Sequence, residues 1–232
     1  MTSTPLSANR LLATLPAGEC ERLALHSKVV SLDLGQILFR PDEEIRHAYF
    51  PTTCVISLLV ALEDGAGMEV GLVGKEGIVG ISAILGGEET KLATVQRAGM
   101  AVKVSVEVFR EEFRRSSALQ VALLRYTHAL MTHISQSVVC NMRHKVEERL
   151  ARWLLMFRDR AESDEFELTH EFMANMLGVR RSSISEIASK LQRRRLIHYQ
   201  RGHIRILDGE GLEAFACECY SVVKEKYDAF LR

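Results

Sequence analysis

The sequence has no apolar run long enough to cross a bilayer: the stretch CVISLLVAL at 54–62 falls well short of the roughly 20 residues that a spanning helix needs. Its first residues, MTSTPLSANRLLATLP, lack the continuous apolar core of a secretory leader, so export is not expected and a cytoplasmic location is. There is no charge of one sign to speak of. Thirty Lys and Arg offset thirty Asp and Glu, and any affinity for a polyanion must come from a local patch. The five cysteines (Cys20, Cys54, Cys140, Cys217, Cys219) are odd in number and form no CxxC pair, which fits reduced thiols better than a disulfide framework. Only Cys217 and Cys219 are close. On one C-terminal helix, residues two apart point away from each other, so neither a metal site nor a cofactor is expected. Low-complexity segments and short repeats are absent as well. What is present, 47% hydrophobic residues over 232 positions, is enough for one large or two modest domains with real cores.

Residues 6–25 have a helical texture around a break at Pro16-Ala17-Gly18. From 28 to about 108 the texture changes to short β runs: VVSLDLG, QILF, AYFP, CVISLLVAL, MEVGLVG, ATVQRAG and AVKVSV, divided by glycine, proline or acidic turns. Closely spaced antiparallel strands of this kind make a sandwich or roll, with Gly65–Gly67 and Gly86-Gly87 as turn candidates. Phe109 to Phe113 reads as a short helix.

The longest helical pattern follows, over 117–144. Leu119, Leu123, Tyr126, Leu130, His133, Ser137, Cys140 and His144 share one stripe, and Thr127, Met131, Ile134 and Val138 an adjacent one. A helix with two apolar faces has two things to touch, its own β domain and a twin helix across a two-fold axis, and the first stripe is expected to make the dimer helix. His144-Lys145 interrupts the pattern as a candidate hinge. VEERLARWLLMFRDR then starts a new amphipathic helix through Leu150, Trp153, Leu154 and Phe157, and LEAFACECYSVVKEKYDAFL reads as one C-terminal brace.

Between these two lies the stretch that carries chemistry, residues 168–206. Thr169 is a hydroxyl N-cap for a helix running to about Leu177, with Phe172, Met173, Met176 and Leu177 inward. Gly178 supplies a sharp turn and Val179 an apolar plug. A second helix, about Arg181 to Arg194, buries Ile184, Ile187, Ala188 and Leu191, and turns Arg180, Arg181, Ser182, Ser183, Ser185, Glu186 and Ser189 outward. Short hydroxyls and arginines suit a face that approaches a groove closely. Leu196-Ile197 opens a strand, Arg201-Gly202 turns it, and Ile204 and Ile206 return, a wing with Arg201 and His203 at its tip. From 170 to 206, eight basic residues (Arg180, Arg181, Lys190, Arg193, Arg194, Arg195, Arg201, Arg205) stand against Glu171 and Glu186, so 8 − 2 = +6 within a neutral chain. That grammar is a winged helix-turn-helix, and its charge predicts double-stranded DNA as partner.

The order of parts resembles the Crp/Fnr family of bacterial transcription regulators over nearly the full chain. The residues that carry the likeness are Gly80 in a loop after a strand, the helix start EERLARWLL, and LGVRRSSISEIASKLQRRRLI ending in a wing. The resemblance implies an α+β fold: a jelly-roll-like antiparallel β-roll at 1–116 resembling cyclic-nucleotide-binding domains, a dimerisation helix at 117–144, and a winged helix-turn-helix at 145–232. It also implies a non-enzymatic homodimer on a palindromic operator, with RNA polymerase as a further partner if the protein activates. Cyclic-nucleotide-binding members carry Gly-Glu and then Arg-Ser/Thr-Ala, whereas the corresponding effector pocket here offers Gly80-Ile81 and Lys91-Leu92-Ala93. Isoleucine cannot accept from a ribose hydroxyl and lysine lacks the guanidinium fork, so a cyclic nucleotide is not expected. An iron–sulfur sensor needs an N-terminal cysteine cluster, of which Cys20 and Cys54 alone are present. His26, His47, His128 and His133 read as structural rather than haem ligands. Many members read bases with Arg-Glu and a second Arg, where this chain has Arg181, Ser182 and Glu186, so its operator is its own.

Two other classes compete. A metal-dependent β-roll enzyme needs His-x-His, and between 28 and 108 the only histidine is His47. A dimeric scaffold whose winged domain binds protein is separable from a DNA binder by salt dependence.

Overall fold

The computed structural model describes residues 5–61, 67–87 and 89–231. After two short 3-10 turns, Pro5–Ala8 and Leu12–Thr14, helix α1 (Ala17–Leu25) leads into seven strands: β1 (Ser27–Leu32), β2 (Ile37–Phe39), β3 (His47–Pro51), β4 (Val55–Ala61), β5 (Gly67–Val73), β6 (Leu92–Arg97) and β7 (Gly99–Ser105). All seven expected β runs are present. They pair antiparallel in two sheets, ordered β1-β7-β3 and β2-β6-β4-β5. The expected hairpin turn after β4 falls on residues 62–66, outside the described residues. Between β5 and β6 a short helix, α2 (Ser82–Leu85), ends on Gly86.

Both sheets contribute alternate residues to one core, among them Phe50, Ile56, Val95 and Val102, each with no exposed surface. Phe50 meets Phe109 edge-on at 5.6 Å, which seats helix α3 (Val106–Arg115) on the roll. Buried Asn9 closes the N-terminal side: its amide donates to the Pro51 and Gly77 carbonyls, each at 2.9 Å, and its oxygen accepts from the Leu12 amide.

Helix α4 (Ser117–Arg143) has 27 residues, about 40 Å at 1.5 Å per residue. Ser116 caps it, accepting from the Leu119 amide at 2.9 Å. It ends where His144 turns extended, the break expected at 144–145, and α5 (Val146–Ala161) starts from Lys145. Then come β8 (Glu165–Glu167), α6 (His170–Leu177), α7 (Arg181–Arg193), β9 (Ile197–Gln200), β10 (His203–Ile206), α8 (Gly209–Phe215) and α9 (Cys219–Phe230). Strands β8, β10 and β9 form a third antiparallel sheet in that order. The three-residue β8 was not foreseen; too short to show alternation, it is held by Phe166 beneath Phe157 at 5.0 Å.

Two expectations are corrected. The C-terminal brace is not one helix: Ala216 is extended and divides α8 from α9. The stripe Leu119, Leu123, Tyr126, Leu130, His133, Ser137 and Cys140, expected to face a twin helix, is buried inside the chain. Tyr126 donates to the Ile78 carbonyl at 3.1 Å and packs on Phe230, while His133 stands edge-on to Tyr227 of α9. Those side chains are already covered. The face left open carries Val121, Leu124, His128, Met131, Ser135, Val138 and Met142, at alternating steps of three and four.

Candidate nucleic-acid interface

Helices α6 and α7 and the β9–β10 hairpin gather the residues singled out for contact with nucleic acid. Thr169 caps α6 as expected, its hydroxyl accepting from the Phe172 amide at 3.1 Å. Gly178 follows at φ +63°, and its amide caps the helix on the Ala174 and Asn175 carbonyls. Helix α7 begins at Arg181, with no side chain capping its first turn, so its leading amides remain available to an anion. Ile184, Ala188 and Leu191 bury its inner face, and Ile187 is half-buried beside them.

The outer face is more ordered than its sequence implies. Arg180, Arg181, Ser182, Glu186 and Ser189 are exposed, but Ser183 and Ser185 are half-buried. Ser189 turns its hydroxyl back to the Ser185 carbonyl at 2.8 Å. Ser185 lies 2.9 Å from His170 Nδ1, and the His170 ring stacks on Tyr199 of the wing at 4.2 Å. Burial, and then the nearby Arg181, hold the His170 imidazole below its ordinary pKa, so it is neutral at pH 7. Ser185 donates its hydroxyl to the Arg181 carbonyl at 3.1 Å, and its contact with the neutral ring, together with the Tyr199 stack, pins the start of α6 to α7 and to the wing. His170 was not among the expected site residues; its signal was only a histidine at the first helical position.

The hairpin turns at Arg201 and Gly202, both with positive φ, the geometry of a two-residue primed turn that follows the twist of its strands. Arg201 is fully presented at the tip and His203 is exposed beside it, 3.8 Å from Glu167. Arg205 is engaged by Glu165 at 2.8 Å, and Lys190 by Glu147. The eight cations of 170–206 therefore divide. Among the described residues, Arg180, Arg181, Arg193, Arg194, Arg195 and Arg201 have no ion-pair partner, and all six are exposed. Arg194 also lies over the Phe215 ring at 4.9 Å, which steadies it without neutralising it.

The head is fixed to the rest of the chain. Trp153 of α5 donates to Glu69 of β5 at 2.8 Å, while within the head Arg149 of α5 holds α6, donating to the Leu177 carbonyl at 2.5 Å. A cleft of about 800 Å³ runs between the roll and α6, lined by Leu59, Leu92, Phe172 and Met176 among others.

The expected effector pocket residues lie together on the roll, though not as an open site. Gly80 sits at φ +96° against the His47 carbonyl, Ile81 and Ala93 are buried, and Lys91 is 3.4 Å from Glu89. Buried Glu89 collects the donors of this loop. It accepts from the Thr90 amide at 3.0 Å, the Lys91 amide at 3.1 Å and the Ser82 hydroxyl at 3.0 Å. A carboxylate of the chain itself thus sits where an anionic ligand would find its donors.

The absence of a clustered metal-ligand set, expected from spacing, does not hold. The break at Ala216 takes Cys217 out of a helix, so the rule that neighbours two apart diverge no longer applies. Cys217 and Cys219 meet Cys140 and His144 at the end of α4. Among the described residues, no helix is long and apolar enough to cross a membrane.

Comparison with known proteins agrees with this geometry. Residues 148–215 match the Crp-like helix-turn-helix domain. Solved structures of similar fold include FixK2 from Bradyrhizobium japonicum, with a TM-score of 0.71 and 16% identity over 82% of this chain and 98% of that one. A Crp/Fnr-family transcriptional regulator from Thermus thermophilus gives 0.68 and 20% identity over 82% and 98%. The c-di-GMP-responsive global regulator CLP from Xanthomonas campestris gives 0.68 and 17% over 82% and 99%. A search of curated proteins gives no match.

Proposed function

We propose that this chain, whose residues 148–215 match the Crp-like helix-turn-helix domain on a fold shared with solved Crp/Fnr-family structures, is a DNA-binding transcription regulator rather than an enzyme, acting as a homodimer on a palindromic operator. The observation that carries the reading is the set of six unpaired arginines on and around α7 and the wing, in a chain with no net charge. Arg181, at the exposed start of α7, is suited to a bidentate contact with guanine. Ser182 and Glu186 flank it, Glu186 able to accept from a cytosine amino group, while Ser183 and Ser185 lie deeper and shape the face. Arg180, Thr169, Ser189, Arg201 and His203 are suited to phosphates on either side.

The open stripe on α4 supports the dimer. Val121, Leu124, Met131, Val138 and Met142 are exposed hydrophobics on one helix, and with His128 and Ser135 between them they follow the three-four spacing of a coiled-coil seam. Two such helices about a two-fold axis would present two α7 helices to successive major grooves. The residues 1–116, 117–144 and 145–232 then divide the work as roll, dimer helix and DNA head.

A cyclic nucleotide is not the effector in this reading. Ile81 offers no acceptor, and a phosphate at Lys91 would have to displace Glu89. Selection from randomised duplexes with the full-length protein tests the proposal. It should enrich an inverted repeat whose half-site centres lie about 10 base pairs apart. Enrichment of isolated half-sites, or of nothing, would count against it.

A further inference from the structure

The end of α4 and the connection between α8 and α9 bring four metal-ligand side chains to one point. The ligand atoms of Cys140, His144, Cys217 and Cys219 all lie within 4.8 Å of one another. Cys140 Sγ is 3.5 Å from Cys217 Sγ, and Cys219 Sγ is 3.4 Å from His144 Nδ1. The three cysteines are buried and the histidine half-buried. Three thiolates and an imidazole around a single tetrahedral zinc ion, at about 2.3 and 2.0 Å, stand about 3.5 to 3.8 Å from one another. The side chains already have nearly that spacing. An iron–sulfur cluster would have to drive them apart, because its sulfides lie between the ligating cysteines.

Two further features point to an ion there. His144 turns Nδ1 toward the sulfurs while its Nε2 is 3.3 Å from the Glu218 carboxylate, the arrangement in which a carboxylate orients a metal-bound histidine. Cys219 also accepts from the Gln136 amide at 3.2 Å, a contact that would hold a coordinating sulfur in place. Second, Arg149 and Arg152 are buried beside the thiols, with their Nε atoms unpartnered and, among the described residues, no carboxylate within ion-pair distance. Arg152 donates to Ser137, one turn below Cys140, at 2.9 Å. A dication with three thiolates and a neutral imidazole carries one net negative charge. That places a counter-charge beside two guanidiniums that have no ion-pair partner among the described residues.

We propose that Cys140, His144, Cys217 and Cys219 bind one zinc ion that fastens the end of the long helix to the C-terminal helix pair. With all four positions filled by the chain, the site is of the closed, structural kind. Its place follows from the fold: His144 is the break between α4 and α5, so the ion braces the joint between the long helix and the DNA head. The zinc takes up the cysteines as thiolates and releases their protons to solvent, with no change of oxidation state.

The test is zinc content of the full chain purified under reducing conditions without added metal, with cobalt replacement as a second reading. One zinc per chain is expected, and cobalt should give the intense visible bands of a tetrahedral thiolate site. Cys219→Ser and His144→Ala should each lose most of the bound metal, while Cys54→Ser, outside the set, keeps it. A reduced wild-type chain that takes up cobalt without tetrahedral bands would overturn the proposal, as would a Cys140–Cys217 disulfide in place of stoichiometric zinc. The cobalt reading uses the wild-type protein, so it stands even if a variant fails to fold.

Discussion

Replacing Glu69 by glutamine should stabilise the protein at alkaline pH and leave it unchanged in acid. The Glu69 carboxyl lies between the roll and α5, accepting from Ser57 Oγ at 2.5 Å and from Trp153 Nε1 at 2.8 Å. Burial is the largest influence on it and pushes its pKa from 4.5 up to about 7, against the opposing pull of those two hydrogen bonds and of Arg160 and Arg152. A raised acid pKa means that folding favours the protonated form. The associated stability is complete below pH 4.5 and is lost as pH rises through about 7. The gap between 4.5 and about 7, at 1.36 kcal/mol per pH unit, bounds the effect near 3 kcal/mol. Glu69 as a residue is only half-buried, and partial solvation brings the expected value to about 2 kcal/mol. Glutamine keeps both contacts, its oxygen accepting from the indole and its amide donating to Ser57, and has no charge to desolvate. Urea unfolding of both proteins from pH 4.5 to 8.5, followed by the fluorescence of the single Trp153, isolates the term because the other titrating groups cancel in the difference. A variant advantage of about 2 kcal/mol at pH 8.5 that vanishes near pH 4.5 is expected. Parallel stability curves, or a variant weaker at pH 8.5, would refute the reasoning.

Further perturbations separate the roles of the surface residues. Arg181→Ala should relax base preference at one position of each half-site at a cost of about 1 to 3 kcal/mol, whereas Arg201→Ala on the wing should weaken all duplexes alike; a binding-site selection with each variant distinguishes the two. Met131→Glu sets like charges against each other on the open stripe of α4, and sedimentation should find monomers, with thermal unfolding no longer dependent on protein concentration. Gly178→Ala places a Cβ at φ +63° and 2.5 Å from Met68 Cε, so a loss of about 1 to 2 kcal/mol in thermal unfolding is expected.

The strands of the roll were legible because each is a short alternating run bounded by residues that turn, and α6 and α7 because Thr169 and Gly178 mark their ends. Side-chain partnership was not. The two stripes of α4 are both apolar enough to be buried, and only the packing of Tyr126 and His133 on α9 decides which one faces inward. The periodicity of LEAFACECY continues through Ala216, yet the chain breaks there, with Cys217 and Cys219 buried against α4. Tertiary contact overrode local preference. Cys140 and Cys217 are 77 positions apart, so spacing alone could not join them. The site was likewise half visible: the arginines could be counted from the sequence, but that Glu147 and Glu165 occupy Lys190 and Arg205, and that Ser185 braces His170, required the fold.

The central claim is that two copies of the arginine-rich head meet a duplex together, and the salt dependence of binding to a selected operator tests it most directly. Six unpaired arginines per chain give twelve in a dimer, and with a slope of about −0.9 per phosphate neutralised, log K against log salt should fall with a slope between about −4 and −11, at two chains per duplex. A slope near zero, or one chain bound per duplex at saturation, would contradict it.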